Sequence, residues 1–142
     1  MSLRPAISAA LLLALGACGS DKPVDGANLS IANANLDVTT GDAACSQRPP
    51  HAPVYADASY VTCAAGAISA TSKVSGTVVY ETAAAPAAVL AWSKAEAIKA
   101  GLTEQLSSAD MISATEGDRT VMVMAQPRGS GSMVTVNWGR AP

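Results

Sequence analysis

The last third of the sequence contains three strand-like segments joined by short links. The shortness of these links constrains the fold more than any other feature. Residues 110–115, 120–125 and 132–138 are rich in β-branched residues and methionine. Residues 116–118 predict a tight hairpin turn, and residues 127–131 predict a longer, looser hairpin loop. Because parallel neighbours need a crossover of about a dozen residues or more, these three strands are expected to pair antiparallel.

A fourth strand and a helix precede them. Residues 74–82 alternate partly between apolar and polar side chains and predict a half-buried strand; a short strand around residues 60–63 is a further candidate. Pro86 suits a first helical position and Gly101 suits the position just past a helix end. The segment between them is rich in strong helix formers. At helical spacing, one stripe that we expect to face the sheet contains Ala88, Ala91, Ala95, Ile98 and Leu102.

The order of these elements predicts an α+β fold. It is one antiparallel sheet of about four strands, with a single helix packed on one face. The other face is then either solvated or a binding surface. The sequence does not define the register, but one register would place four apolar side chains together on a common face: Val79, Met122, Met124 and Met133.

The N-terminus has the layout of a secretory signal. Arg4 precedes an apolar run over residues 6–15, which is too short to cross a bilayer core of about 30 Å as a helix. The next residues, Leu15-Gly16-Ala17-Cys18, resemble the lipobox of bacterial lipoproteins. That resemblance implies a signal peptide over residues 1–17, cleavage before Cys18 and a diacylglycerol thioether on its sulfur. The alternatives are an ordinary signal peptide with a chance cysteine, or a buried free thiol.

The same resemblance predicts where the protein resides. Gly19 follows Cys18 where retention in the inner membrane of enteric bacteria usually shows Asp, so the implied location is the periplasmic face of the outer membrane. One acyl chain holds a protein only marginally at a membrane, whereas two or three chains anchor it stably. The first expected partner is therefore the membrane itself, through acyl chains such as palmitate on Cys18.

The remainder of the chain divides into a predicted tether and a predicted domain. Residues 18–44 are dominated by small and polar residues without an aromatic side chain, which favours a flexible tether. The alternative is an arm packed loosely on the domain, with residues 29–31 as a short strand or turn. Residues 45–142 form the α+β domain. Its segments P-V-Y, G-T-V-V-Y-E-T, P-A-A-V-L-A-W and V-T-V-N-W-G resemble small uncharacterised lipoproteins of alphaproteobacteria, a resemblance that implies no activity.

Cys45 and Cys63 remain once Cys18 is lipidated. Two cysteines in a small exported domain predict one disulfide. Closing a loop of this length contributes about 3 kcal/mol of stability in the chain-entropy account. A redox-catalytic pair would need a closer spacing, of the CxxC kind.

The composition disfavours several classes of function. A formal charge of −2 supplies no basic surface for nucleic acid. No glycine pattern typical of a nucleotide site occurs, and we expect no cofactor. His51 is the single histidine, and it lies among prolines in an expected loop where we interpret it as solvated. Without a G-x-S-x-G segment or paired acidic residues, an enzyme is disfavoured.

Two groups of side chains have both a functional and a packing interpretation. Met122 and Met124 resemble a thioether pair for copper, but core packing is the favoured interpretation for methionines at strand spacing. Core packing is also favoured over an aromatic ligand surface for Tyr55, Tyr60, Tyr80 and Trp138.

Two functions from different classes remain. The first is a lipid-anchored cell-envelope protein with a non-enzymatic structural or protein-interaction role, whose partner is another envelope protein. The second is a periplasmic module that binds a small ligand or peptidoglycan. Apolar side chains exposed together on the uncovered sheet face would favour the first. A concave pocket lined by tyrosine and tryptophan would favour the second.

Overall fold

The computed structural model describes residues 27–31, 34–69 and 71–141. These ranges contain eight strands and two helices. The strands are β1 Ala27–Ile31, β2 Ala34–Thr40, β3 Ser59–Ile68, β4 Lys73–Thr82, β5 Thr103–Ser107, β6 Met111–Glu116, β7 Arg119–Arg128 and β8 Gly131–Arg140. The helices are α1 Asp42–Ser46 and α2 Pro86–Lys99.

The eight strands form one antiparallel sheet built from two meanders. Strands β1 to β4 follow one another in space, β5 to β8 do the same, and β4 pairs with β8 at the centre, giving the order β1-β2-β3-β4-β8-β7-β6-β5. Helix α2 connects the meanders. The central pair places Val78 opposite Val136 and Tyr80 opposite Val134, so the most apolar strands lie in the middle of the sheet.

The predicted sheet of about four strands with a single helix is wrong: the described residues form a sheet of eight strands and two helices. The four strands that were predicted correspond to β4, β6, β7 and β8. Strand β5 was missed because its sequence, TEQLS, lacks apolar alternation and follows the helix directly. Strands β1 and β2 lie in the segment interpreted as a tether. Because β2 pairs with β3 over five positions, the alternative of an arm packed on the domain fits these residues.

Helix α2 covers one half of one sheet face, but with a different side from the one expected. Its buried residues are Val89, Leu90, Ser93 and Ala97. The predicted stripe is exposed over Ala88, Ala91 and Ala95, and Ile98 is 51% exposed. The helix has small apolar residues of its own on every side. The sequence pattern therefore indicates a helix, but not which of its sides packs against the sheet.

Helix α1 and the loop over residues 47–58 cover the other half of the same face. The predicted disulfide is confirmed: Cys45 of α1 is bonded to Cys63 of β3, with their Cα atoms 5.2 Å apart. Ala44 and Ala52 are fully buried beneath this cover. The disulfide therefore fastens the cover to the sheet.

Trp138 of β8 packs on the covered face over a glycine. The side chain is 3% exposed, and a Cβ atom added to Gly76 of β4 would lie 2.4 Å from the indole ring. Val134 and Val136 share this face with Trp138, as the alternation in the last strand predicts. Since the covered face holds the core, the opposite face remains for function.

Candidate interaction face

The second face of the sheet, which we call the open face, carries no helix in the part of the chain that the structure describes, since α1 and α2 both pack on the first face. Residues paired across neighbouring strands share a face. Val79 and Met124 both pair with Thr135, and Met111 pairs with Met124, so all of these side chains lie on the open face. Met122 lies on the same face, two residues before Met124 on β7.

Four of the five methionines of the chain lie on this face. Met133 of β8 is the fourth, opposite Gln126 of β7. Met122 is 38% exposed, and Met111, Met124 and Met133 are half-buried. The favoured interpretation of Met122 and Met124 as core residues is therefore wrong, because the buried core of the described residues contains no methionine.

Two shallow hollows lie beside the methionines on the open face. One of about 370 Å³ is lined by small residues such as Ala64 and Gly66, with Leu36 and Val38 along its edge. The other, of about 310 Å³, lies against Met122. Asn137 borders both hollows and accepts a hydrogen bond of 2.6 Å from the Thr77 hydroxyl. Small residues at the centre thus leave a depression between apolar flanks.

Charged side chains lie towards the ends of the strands on this face. Lys73 begins β4, and Glu81 near the end of that strand pairs with Arg128 at 2.7 Å. Both members of this pair are substantially exposed, so the pair contributes about 0–1 kcal/mol to stability. The rows of side chains around Met122 and Met124 consist of Ser, Thr, Asn and apolar residues, and a partner surface there would need no complementary charge.

His51 is buried at 4% exposure, and the expectation of a solvated histidine is wrong. Its Nε2 donates a hydrogen bond of 3.1 Å to the carbonyl oxygen of Gly139 on β8. Burial lowers the pKa of His51 below its ordinary value, and the positive charges of Arg119 and Arg140 act in the same direction. A neutral imidazole thus fastens the proline-rich loop to the end of the central strand β8.

The aromatic side chains do not line a common pocket. Tyr80 and Trp138 are buried in the core, as their favoured interpretation predicts. Burial raises the pKa of Tyr80 to about 12, and its hydroxyl accepts a hydrogen bond from the backbone N–H of Tyr55. Tyr55 packs edge-on against Trp92 with ring centres 5.0 Å apart, and Tyr60 is half exposed on β3. This arrangement lacks the feature that would favour a ligand-binding module.

Of the site residues predicted from sequence, the structure joins Cys45 and Cys63, whereas Cys18 and the predicted signal peptide lie outside the described residues. In the described ranges, no His, Cys, Asp and Glu side chains group in threes to hold a metal ion. Neither described helix has the length and apolarity that a bilayer crossing requires. What the sequence did not identify is the open face as a whole, because its membership depends on strand register.

No protein-family model, curated protein or solved structure matches this chain. The functional interpretation of the open face therefore rests on its own geometry and chemistry.

Proposed function

We propose that this protein is a non-enzymatic lipoprotein of the bacterial cell envelope, and that its open face binds another envelope protein. Acyl chains on Cys18 hold it at the periplasmic face of the outer membrane. The covered face supplies the stable core, and the open face presents the contact surface.

The observation that carries this proposal is the gathering of apolar side chains on the side of the sheet that no described helix covers. Met122 is 38% exposed and Leu106 of β5 is 47% exposed. Met111 and Met124 form the next row of the face, which continues through Thr135 to Val79. Monomeric proteins rarely leave large apolar patches open, and such patches mark interaction sites. Methionine suits such a surface because its unbranched side chain adapts to a partner.

The chemistry of the face also describes the partner. With Lys73, Glu81 and Arg128 towards the strand ends, the middle of the face selects an apolar, weakly charged protein surface rather than a phosphate or a polyanion. The lipid anchor supports an envelope partner in particular. A tethered protein and a membrane-associated partner meet at a high effective concentration, so a face of modest area suffices.

Site-specific photo-crosslinking in living cells tests the proposal. The photoreactive residue p-benzoylphenylalanine is placed at position 122 on the open face, and in a matched variant at position 91, which is exposed on the outer side of α2. We expect a discrete crosslinked product from position 122 and none from position 91. Equal crosslinking from both positions, or none from either, would contradict the assignment of the open face.

The same strain set tests the anchor. Radiolabelled palmitate should label the wild type and leave Cys18→Ala unlabelled, and Cys18→Ala should lose the crosslink from position 122 because it no longer resides at the membrane. Equal labelling of the two proteins would remove the anchor from the proposal.

A further inference from the structure

Three methionines on the open face form a triangle. Met111 and Met124 are directly opposed on β6 and β7, and Met122 occupies the next position on the same face of β7. Standard sheet geometry gives Cβ separations of roughly 5 Å for the opposed pair, 7 Å along β7 and 7–8 Å on the diagonal. Each thioether has three rotatable bonds with which to turn its sulfur towards the centre of the triangle.

Met133 does not belong to this triangle. It is opposite Gln126, so it is a diagonal neighbour of Met124 but lies four residues along the sheet from the row of Met122. Met111 is separated from it by the whole width of β7. Met133 therefore lies on the same face, but it is too far away to take part in the triangle of Met111, Met122 and Met124.

Neither the core nor strand propensity explains these three methionines. All three lie outside the buried core of the described residues. β-Branched and aromatic residues are the usual choice for half-buried strand positions, and the neighbours Thr135, Ser113 and Asn137 resemble an ordinary solvated strand surface. What the three share with one another is a sulfur atom.

Thioether sulfur is a soft, uncharged ligand that selects soft metal ions such as Cu(I) over Mg²⁺ or Ca²⁺. Neutral ligands suit a monovalent cation because the site then carries a single positive charge at a partly exposed surface. We propose that Met111, Met122 and Met124 together bind a soft monovalent cation of the Cu(I) and Ag(I) class. Binding forms three sulfur–metal bonds and transfers no electron.

This inference goes beyond the proposed function and does not rest on it. A Met→Leu substitution keeps the apolar surface and removes the sulfur, so it separates the two. Loss of cation binding with retention of the crosslink would identify a metal site beside a separate docking role.

An NMR titration with Ag(I) is the test. The full chain is prepared with Cys18→Ser, the disulfide intact and the methionine ε-methyl groups labelled with ¹³C, in chloride-free buffer. We expect the methyl resonances of Met111, Met122 and Met124 to shift together and saturate at one equivalent of Ag(I). The resonances of Met1 and Met133 should stay in place.

Met122→Leu and Met124→Leu should each weaken Ag(I) binding by at least about tenfold. Substituting a residue that merely supports a metal ligand already has an effect of this size, and these substitutions remove the ligand itself. Met133→Leu is the matched control and should leave the affinity unchanged. A Met-to-Leu exchange usually costs less than about 1.5 kcal/mol, so the variants are expected to fold, which circular dichroism checks. Wild-type affinity in Met122→Leu and Met124→Leu, or equal shifts at all five methyl groups, would overturn the proposal.

Discussion

Individual side chains show where sequence patterns carry too little information. The pattern around His51 predicts a loop, which is correct, but not that the loop folds back over the sheet and buries the imidazole. Met122 and Met124 were placed correctly on one strand, yet burial depends on which face the neighbouring elements cover. The pairing of Cys45 with Cys63 is confirmed; it was predicted because two cysteines in a domain expected to be exported have few other uses.

His51 predicts a dependence of stability on pH. Its pKa in the folded state is lowered from 6.5, chiefly by burial, so the unfolded chain binds the proton more readily. The stabilisation is fully present above pH 6.5 and declines as the pH falls below 6.5 towards the folded-state pKa. We expect the urea midpoint of the wild type to fall over this range. His51→Gln keeps a donor for the Gly139 carbonyl without a titrating group, and its midpoint should change less over the same range. Identical pH profiles would show that another group is responsible.

Among the helices and strands, the sequence pattern identified those whose own residues carry a clear periodic or terminal signal. Strands β4, β6, β7 and β8 carry β-branched alternation, and α2 begins at Pro86 and ends before Gly101, whose φ of +86° suits glycine. The second hairpin is tighter than expected, because β7 and β8 continue until Gly129 and Ser130 alone connect them. Strand β5 and helix α1 are short and polar or small in sequence. Helix α1 is defined by packing against β3 beyond the proline-rich loop, and β5 is defined by its hairpin pairing with the next strand, β6, so neither element is evident from its own residues alone.

The disulfide that joins α1 to β3 should contribute measurably to stability. Cys45 and Cys63 are 18 residues apart, so removing the bond with Cys45→Ala and Cys63→Ala together should lower the free energy of unfolding by about 3 kcal/mol. A reducing agent should destabilise the wild type by a similar amount and leave the double variant unaffected. An unchanged midpoint in the reduced wild type would mean that the cover over β3 is held by packing alone.

In the molecule as a whole, one face of the sheet holds the core and the other is the proposed interaction surface. One face is packed under α1, α2 and the proline-rich loop, and it supplies the core. The other face gathers four methionines and Val79 beside two shallow hollows. The sequence predicted a sheet with one uncovered face and grouped Val79, Met122, Met124 and Met133 on a common face, but which face that is depends on pairings between strands far apart in the chain.

Methionine oxidation measures most directly whether the open face is covered by a partner in its natural setting. Brief peroxide treatment converts accessible methionine to the sulfoxide, which mass spectrometry quantifies at Met122. We predict that Met122 oxidises more slowly in the envelope of intact cells than in the purified protein, and that Cys18→Ala restores the faster rate in cells. Equal rates for the anchored and the purified protein would contradict the account, because the open face would then be unoccupied where the protein resides.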